Sequence, residues 1–430
     1  MKVLMLGWEF PPFFSGGLGV ATYGMVKALS PKVDIKLIIP NNSGSIAFSN
    51  VNIVGLNAAV AQELNLETLQ FNYASLVAEL HSIPLTLSPY HHVNEEILKN
   101  KLDELDTAIA ISKHKKLETI HTIFGEKDVY GHDIVYKISL YARLVGQLAE
   151  HEKFDVIHAH DWITFPAGIH VKQITKKPLI LHVHSLETDR AGETIRNEIY
   201  QLEKEAMLIA DRIISVSQFT KEQIIKHYGI SEAKICVVHN GIEPATKSRT
   251  MHHLRDKLVV FLGRITHQKG PEFLLETAEK VSRVHPRVKF VVAGTGDQFV
   301  HILETSAYKK MGSKFIFTGF LTKAKVDELL NMADVYFMPS VSEPFGITAL
   351  EAAQHHVPTV LSRQSGAAEV INSSLKADFW DTEKYANYIY ALLKYNTLNH
   401  QLSENAHNEL DRLTWDHAAE KIWNVYQEFQ

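Results

Sequence analysis

At 430 residues, 45 % apolar and 22 % charged, the chain has the composition of an ordinary globular protein and is too long for one compact core. A formal net charge of −5 argues against general nucleic-acid binding and against strong attraction to anionic membranes. The single cysteine, Cys236, excludes a disulfide framework and fits a reducing, cytoplasmic compartment.

The first apolar run is met at once by Glu9, Pro11 and Pro12, so it reads as a strand and not as a signal peptide. No apolar stretch reaches the roughly eighteen residues that a spanning helix needs, so stable membrane insertion is not expected. From there, short apolar runs alternate with longer amphipathic ones, the pattern of parallel βαβ units. Strands are expected at 2–7, 34–40, 156–160, 179–184, 212–216 and 235–239, with helices at 22–29, 133–151, 193–210 and 218–227. Residues 57–131 give no legible order beyond a helical look at 66–110, and the basic cluster 113–116 reads as a solvated helix face. A polar stretch over 245–257 reads as a linker. Strands then return at 258–262, 288–293, 315–318, 335–338 and 359–361, with helices at 271–284, 298–311, 324–332 and 348–354 and an amphipathic segment at 414–428. The expected fold class is α/β, with two doubly wound Rossmann-like domains facing across a cleft. One domain covers 1–244 and the other 245–411, and a C-terminal helix within 412–430 returns to the first.

Ligands of such sheets bind beyond the carboxyl ends of strands, so the strand-end loops carry the chemistry. Glu343 and Glu351 stand eight positions apart around Pro344-Phe345-Gly346, where a helix opens. Amides at that helix start, unshielded by Gly346, suit a diphosphate. Flanking carboxylates could accept hydroxyls from both ends of a nucleotide-sugar; the plainer alternative is a surface helix with an acidic first turn. Arg264 and Lys269, between Gly263 and Gly270, fit a diphosphate clamp or simply a solvated basic loop. Gly16-Gly17-Leu18-Gly19 precedes the helix at 22–29, too late for a dinucleotide fingerprint. His158 with His160, and His182 with His184, alternate onto one face of their strands next to Asp161. Metal binding, structural packing and substrate hydrogen bonding all stay open for them. With no ligand recurring at a metal spacing and no Asp-x-Asp motif, no metal cofactor is expected. Asn240-Gly241 reads as a turn at a hinge mouth.

Taken in order, the glycine loop, the His-Asn-Gly-Ile turn at 239–242, the Gly-Arg…Gln-Lys-Gly loop at 263–270 and Glu343-x7-Glu351 resemble retaining glycosyltransferases of GT-B architecture, family four in type. Trp-Glu-Phe-Pro-Pro at 8–12, the glycines at 16–19 and His-Ala-His-Asp-Trp at 158–162 are most similar to glycogen and starch synthases. The resemblance implies a donor domain over 245–411 and an acceptor-side domain over 1–244. It implies that Gly16 and Gly17 approach the donor phosphates and that Arg264 and Lys269 hold the diphosphate. Glu343 and the backbone of Phe345, Gly346, Ile347 and Thr348 would bind hexose and phosphates, and Glu351 the ribose. His184 would lie near the reactive face of the sugar, Asp161 at the interdomain site and Phe320 beside the base; Asn240 joins the donor-binding set. The implied reaction moves glucose from ADP- or UDP-glucose to the non-reducing end of an α-1,4-glucan. Other donors or acceptors, an epimerase and a silent nucleotide-sugar binder are the alternatives. Phe14 departs from the pattern, standing where bacterial glycogen synthases often carry a lysine.

Overall fold

The computed structural model of the chain describes residues 1–12, 16–42, 44, 46–58, 64, 113–125, 130, 134–243 and 255–430. Phe14, the 66–110 region and most of the expected linker lie outside the described residues. The chain divides into two compact units. The first comprises Met1–Ser215, Gln223–Val238 and Ala418–Gln430; the second comprises Val216–Glu222 and His239–His417.

Each unit is wound on one parallel sheet. The first holds β1 (Lys2–Leu6), β2 (Asp34–Ile39), β3 (Val51–Gly55), β4 (Val156–His160), β5 (Leu179–Val183), β6 (Arg212–Ser215) and β7 (Ile235–Val237), in the order β3-β2-β1-β4-β5-β6-β7. The second holds β8 (Lys257–Leu262), β9 (Val288–Ala293), β10 (Phe315–Gly319), β11 (Val335–Met338), β12 (Thr359–Ser362) and β13 (Leu375–Ala377), in the order β10-β9-β8-β11-β12-β13. Central strands are buried along their whole length, as in β4, β5 and β11, because helices cover both faces. In each sheet the order reverses beside the first strand, between β1 and β4 and between β8 and β11. Loops leaving such neighbours diverge and open a crevice beyond the carboxyl ends.

Most expected elements are present, with instructive differences. The sequence pattern misses β3 and β13, which are short, half-exposed edge strands without a continuous apolar run. It also misses the helix Phe165–Thr175, which carries a proline in its first turn and Gly168 inside. A Cβ on Gly168 would lie 3.1 Å from that of Ala159, so close helix–sheet packing selects the residue that weakens the helical signal. The helix expected at 193–210 starts only at Glu198, where the Asn197 side chain accepts the Tyr200 amide at 3.1 Å. The helix Trp415–Gln427 delivers Ala418–Gln430 to the first unit, where Ile422 and Tyr426 are fully buried.

Candidate functional site

At the switch point of the second unit, β8 hands over to the loop 263–270. That loop is stitched to the next turn: Gly263 N donates to Ala293 O at 3.0 Å, Ile265 N to Thr295 O at 2.9 Å, and Gln298 N to Ile265 O at 2.9 Å. It ends in a 3-10 turn, His267–Lys269, and Gly270 at φ +65° caps the helix Pro271–Val284. The loop leaving β11 docks on it, with Val341 N donating to Gln268 O at 2.9 Å.

This docking brings Lys269 and Glu343 together. Their side chains form an ion pair and are 19 % and 8 % exposed. Ser340 Oγ lies 3.4 Å from the same carboxylate oxygen. Glu343 is held by its own backbone as well: its N–H donates to Gln364 O at 2.9 Å and its carbonyl accepts Gly366 N at 3.0 Å. Three residues on, Gly346 at φ +96° starts the helix Ile347–Gln354. The alternative of an acidic first turn is corrected here: the turn holds no carboxylate, and Ala349, Leu350, Ala352 and Ala353 are buried. No side chain caps it, so its first amides are available to an anion.

Glu351 lies one turn further and pairs with Lys323 Nζ at 2.8 Å. The Thr348 hydroxyl shares a 2.7 Å hydrogen bond with the buried Tyr336 hydroxyl. Phe345 is buried, its ring 5.9 Å from that of His239. Arg264 is exposed and forms no ion pair among the described residues. Phe320 is 72 % exposed just after β10. Asn240 is buried beside Gly241, whose Cβ position would lie 2.3 Å from Trp415 N. The sequence pattern gave no sign of Lys323, Tyr336 or Glu369. The Glu369 carboxylate accepts Gln218 N at 2.9 Å and Phe219 N at 2.5 Å, and pairs with His239 Nε2 at 3.0 Å.

In the first unit the glycine run is not a loop before residue 22. The helix Gly17–Leu29 begins at Gly17, with Gly16 as its extended, uncapped N-cap, because three glycines hide the helical periodicity there. At β4 and β5 four imidazoles form a ladder. His158 Nε2 meets His182 Nδ1 at 3.3 Å, and His160 Nδ1 meets His184 Nε2 at 3.0 Å. His158 Nδ1 also meets the Tyr426 hydroxyl at 2.6 Å. Burial pushes His158 and His184 down to about 3 and lowers His160 and His182 as well, so all four are neutral at pH 7. His158, His160 and His182 bring ligand atoms within 4.8 Å of one another. Of the trio, His160 Nε2 and His182 Nε2 have no hydrogen-bond partner among the described residues, and both nitrogens of His158 are engaged.

Asp161 follows β4 at φ +59°, and its Oδ1 accepts the amides of His184 at 2.6 Å and Ser185 at 3.2 Å. It therefore clamps the loop that carries His184. Beyond that loop, Arg190 bridges Glu187 at 2.9 Å and Glu203 at 2.7 Å, all three nearly inaccessible. Burial raises Asp161 to about 6 and Glu203 to about 7, in each case against the Arg190 charge. A raised carboxyl contributes stability that is complete below its unfolded value and is lost as pH rises through its folded value. For Glu203 that window runs from about 4.5 to about 7. Relative to Glu203→Gln, the wild type is expected to lose on the order of 3 kcal/mol across it, read from urea midpoints at both ends. A parallel pH dependence in the two proteins would contradict this.

Comparison with known proteins places this geometry in context. Residues 242–409 match the model of the glycosyl transferases group 1, and residues 112–246 that of glycosyltransferase family 4. An uncharacterized glycosyltransferase of Methanocaldococcus jannaschii is 30 % identical over 64 % of this chain and 76 % of its own length. A glycogen synthase of Mycobacterium tuberculosis is 27 % identical, over 50 % of this chain and 54 % of its own. A D-inositol 3-phosphate glycosyltransferase of Corynebacterium diphtheriae is 26 % identical, over 67 % and 75 %. Among solved structures, Anabaena HepE in complex with UDP and glucose superposes with a TM-score of 0.65 at 15 % identity, covering 99 % of both chains.

Proposed function

Since this chain belongs to the group 1 and family 4 glycosyltransferases, we propose that it moves glucose from ADP- or UDP-glucose to the non-reducing end of an α-1,4-glucan, with retention at the anomeric carbon. One observation carries the reading: Lys269 and Glu343, from separate loops at one switch point, meet ahead of an uncapped helix start. Breaking the bond from C1 to the β-phosphate oxygen builds negative charge on the diphosphate. Lys269, Arg264 and the amides at 347–348 would stabilise it from fixed positions. Glu343, already oriented by Lys269, would take a hexose hydroxyl, and Glu351 the ribose hydroxyls. The acceptor oxygen bonds to C1 on the face the diphosphate leaves, and its proton departs with that leaving group. Such a charge complement leads us to propose a reaction without a metal, in a cytoplasmic enzyme; among the described residues no helix is long and apolar enough to cross a membrane.

The test is a donor-by-acceptor panel in the presence of EDTA, measuring release of nucleoside diphosphate. Release from a glucose donor that rises with maltooligosaccharide or glycogen supports the reading, and no glucan dependence with any donor would end it. A second reading has its own support: the chain spans more of the inositol-phosphate transferase than of the glycogen synthase. A sugar or polyol phosphate therefore belongs in the acceptor panel, and stimulation by it alone would favour that reading. In either case Glu351→Ala is expected to raise the donor KM by about 10- to 100-fold, the worth of a hydrogen bond to a charged group. An unchanged donor KM would remove Glu351 from the ribose site.

A further inference from the structure

His160 is fully buried and no step above uses it. We propose that it is a positioning residue: its Nδ1–H donates to His184 Nε2 and so fixes His184 as the tautomer that carries its own proton on Nδ1. The inference deepens the reading in which His184 contacts the transferred sugar, and rests on that reading for its functional consequence.

The argument starts from valence. A neutral imidazole has one N–H and one lone pair, so a contact between two such rings settles both. His160 Nδ1 and His184 Nε2 stand 3.0 Å apart, and one of them must hold the proton. His160 Nε2 decides which. It is buried and has no hydrogen-bond partner among the described residues. A buried N–H without an acceptor is rarer and costlier than an unused lone pair, so the single proton of His160 sits on Nδ1. His184 Nε2 is then the acceptor, and the only place left for the His184 proton is Nδ1.

The neighbouring rung obeys the same rule. His182 Nε2 is also buried and without a partner among the described residues, so His182 Nδ1–H donates to His158 Nε2 and His158 Nδ1–H to the Tyr426 oxygen. The two rungs run in opposite senses, from β4 towards β5 in one and from β5 to β4 in the other. His184 differs from the other three in being only half-buried, so it is the ring at which this ordering reaches a ligand. Asp161 completes the setting by holding the His184 backbone amide at 2.6 Å, which fixes the point from which the ring is carried. The consequence is chemical: His184 offers a substrate oxygen a hydrogen-bond donor from Nδ1, and cannot accept there.

Nitrogen-15 spectra of the full chain labelled at histidine, with His184 assigned by a His184→Gln variant, test this directly. At pH 7 and without substrate, His184 is expected to show Nδ1–H. In His160→Leu nothing holds the ring any longer, so it is expected to turn and to populate Nε2–H; in His160→Asn, whose amide can still donate, the proton is expected to stay on Nδ1. Transfer activity should follow, with kcat/KM about tenfold lower in the leucine variant and largely recovered in the asparagine variant. Nε2–H on His184 in the wild type would overturn the proposal whatever the variants do. The predicted tautomers with unchanged activity in His160→Leu would uphold the lock and remove His184 from the sugar instead.

Discussion

Replacing Lys269 with alanine is expected to lower turnover by about two to three decades, the roughly 3–4 kcal/mol that one preorganised donor to a developing anion contributes. The structure adds a second, separable consequence. Lys269 is the ion-pair partner of the buried Glu343, so its removal strands a carboxylate at low exposure. Breaking such a pair on one side destabilises on the order of 3 kcal/mol. Arg264→Ala provides the control, because Arg264 is exposed and unpaired among the described residues. It should match the loss of turnover while leaving the urea midpoint within about 0.5 kcal/mol of wild type. The double variant Lys269→Ala/Glu343→Ala should recover stability relative to Lys269→Ala without recovering activity. Wild-type turnover in either single variant would contradict the diphosphate roles.

The other large effect is expected from Gly270→Ala, a substitution of one methyl group that touches no charged residue. Gly270 has φ +65°, where a side chain is strained. Its Cβ would also lie 2.1 Å from the carbonyl oxygen of Pro339, a backbone atom with no rotamer to escape by. Relief requires the loop after β8 to move off the loop after β11. That movement breaks the Val341 N to Gln268 O hydrogen bond and draws Lys269 away from Glu343. We expect a loss on the order of 2–4 kcal/mol in urea unfolding, together with loss of donor binding. Wild-type stability in Gly270→Ala would show that the two loops are not docked as described.

How much of this was readable in advance follows from where each signal lies. The parallel strands announced themselves because central strands buried on both faces carry continuous apolar runs, as over residues 290–293 of β9 and along β11. The edge strands β3 and β13 are mostly half-buried and carry no such run. The residues of the candidate site stood out because glycines and opposite charges clustered at strand ends. Their partners were not. Glu351 and Lys323 are 28 positions apart, and Lys269 and Glu343 are 74 apart, so only tertiary structure could pair them. Tyr336 gave no sign of its own, since it is a core residue inside β11 and only the folded chain brings its hydroxyl to Thr348. The glycines at 16–19 hid the helix start over 17–21, because glycine is the weakest helix former after proline and suggested a loop.

The central claim is that the loop 263–270 and the segment 343–351 answer to one diphosphate. Hydrogen–deuterium exchange of the full chain, with and without saturating UDP-glucose and ADP-glucose, tests it most directly. Slower exchange in both segments with the same donor, and in neither with Lys269→Ala, is the predicted result. Protection of one segment without the other, under a donor that the enzyme turns over, would contradict the account.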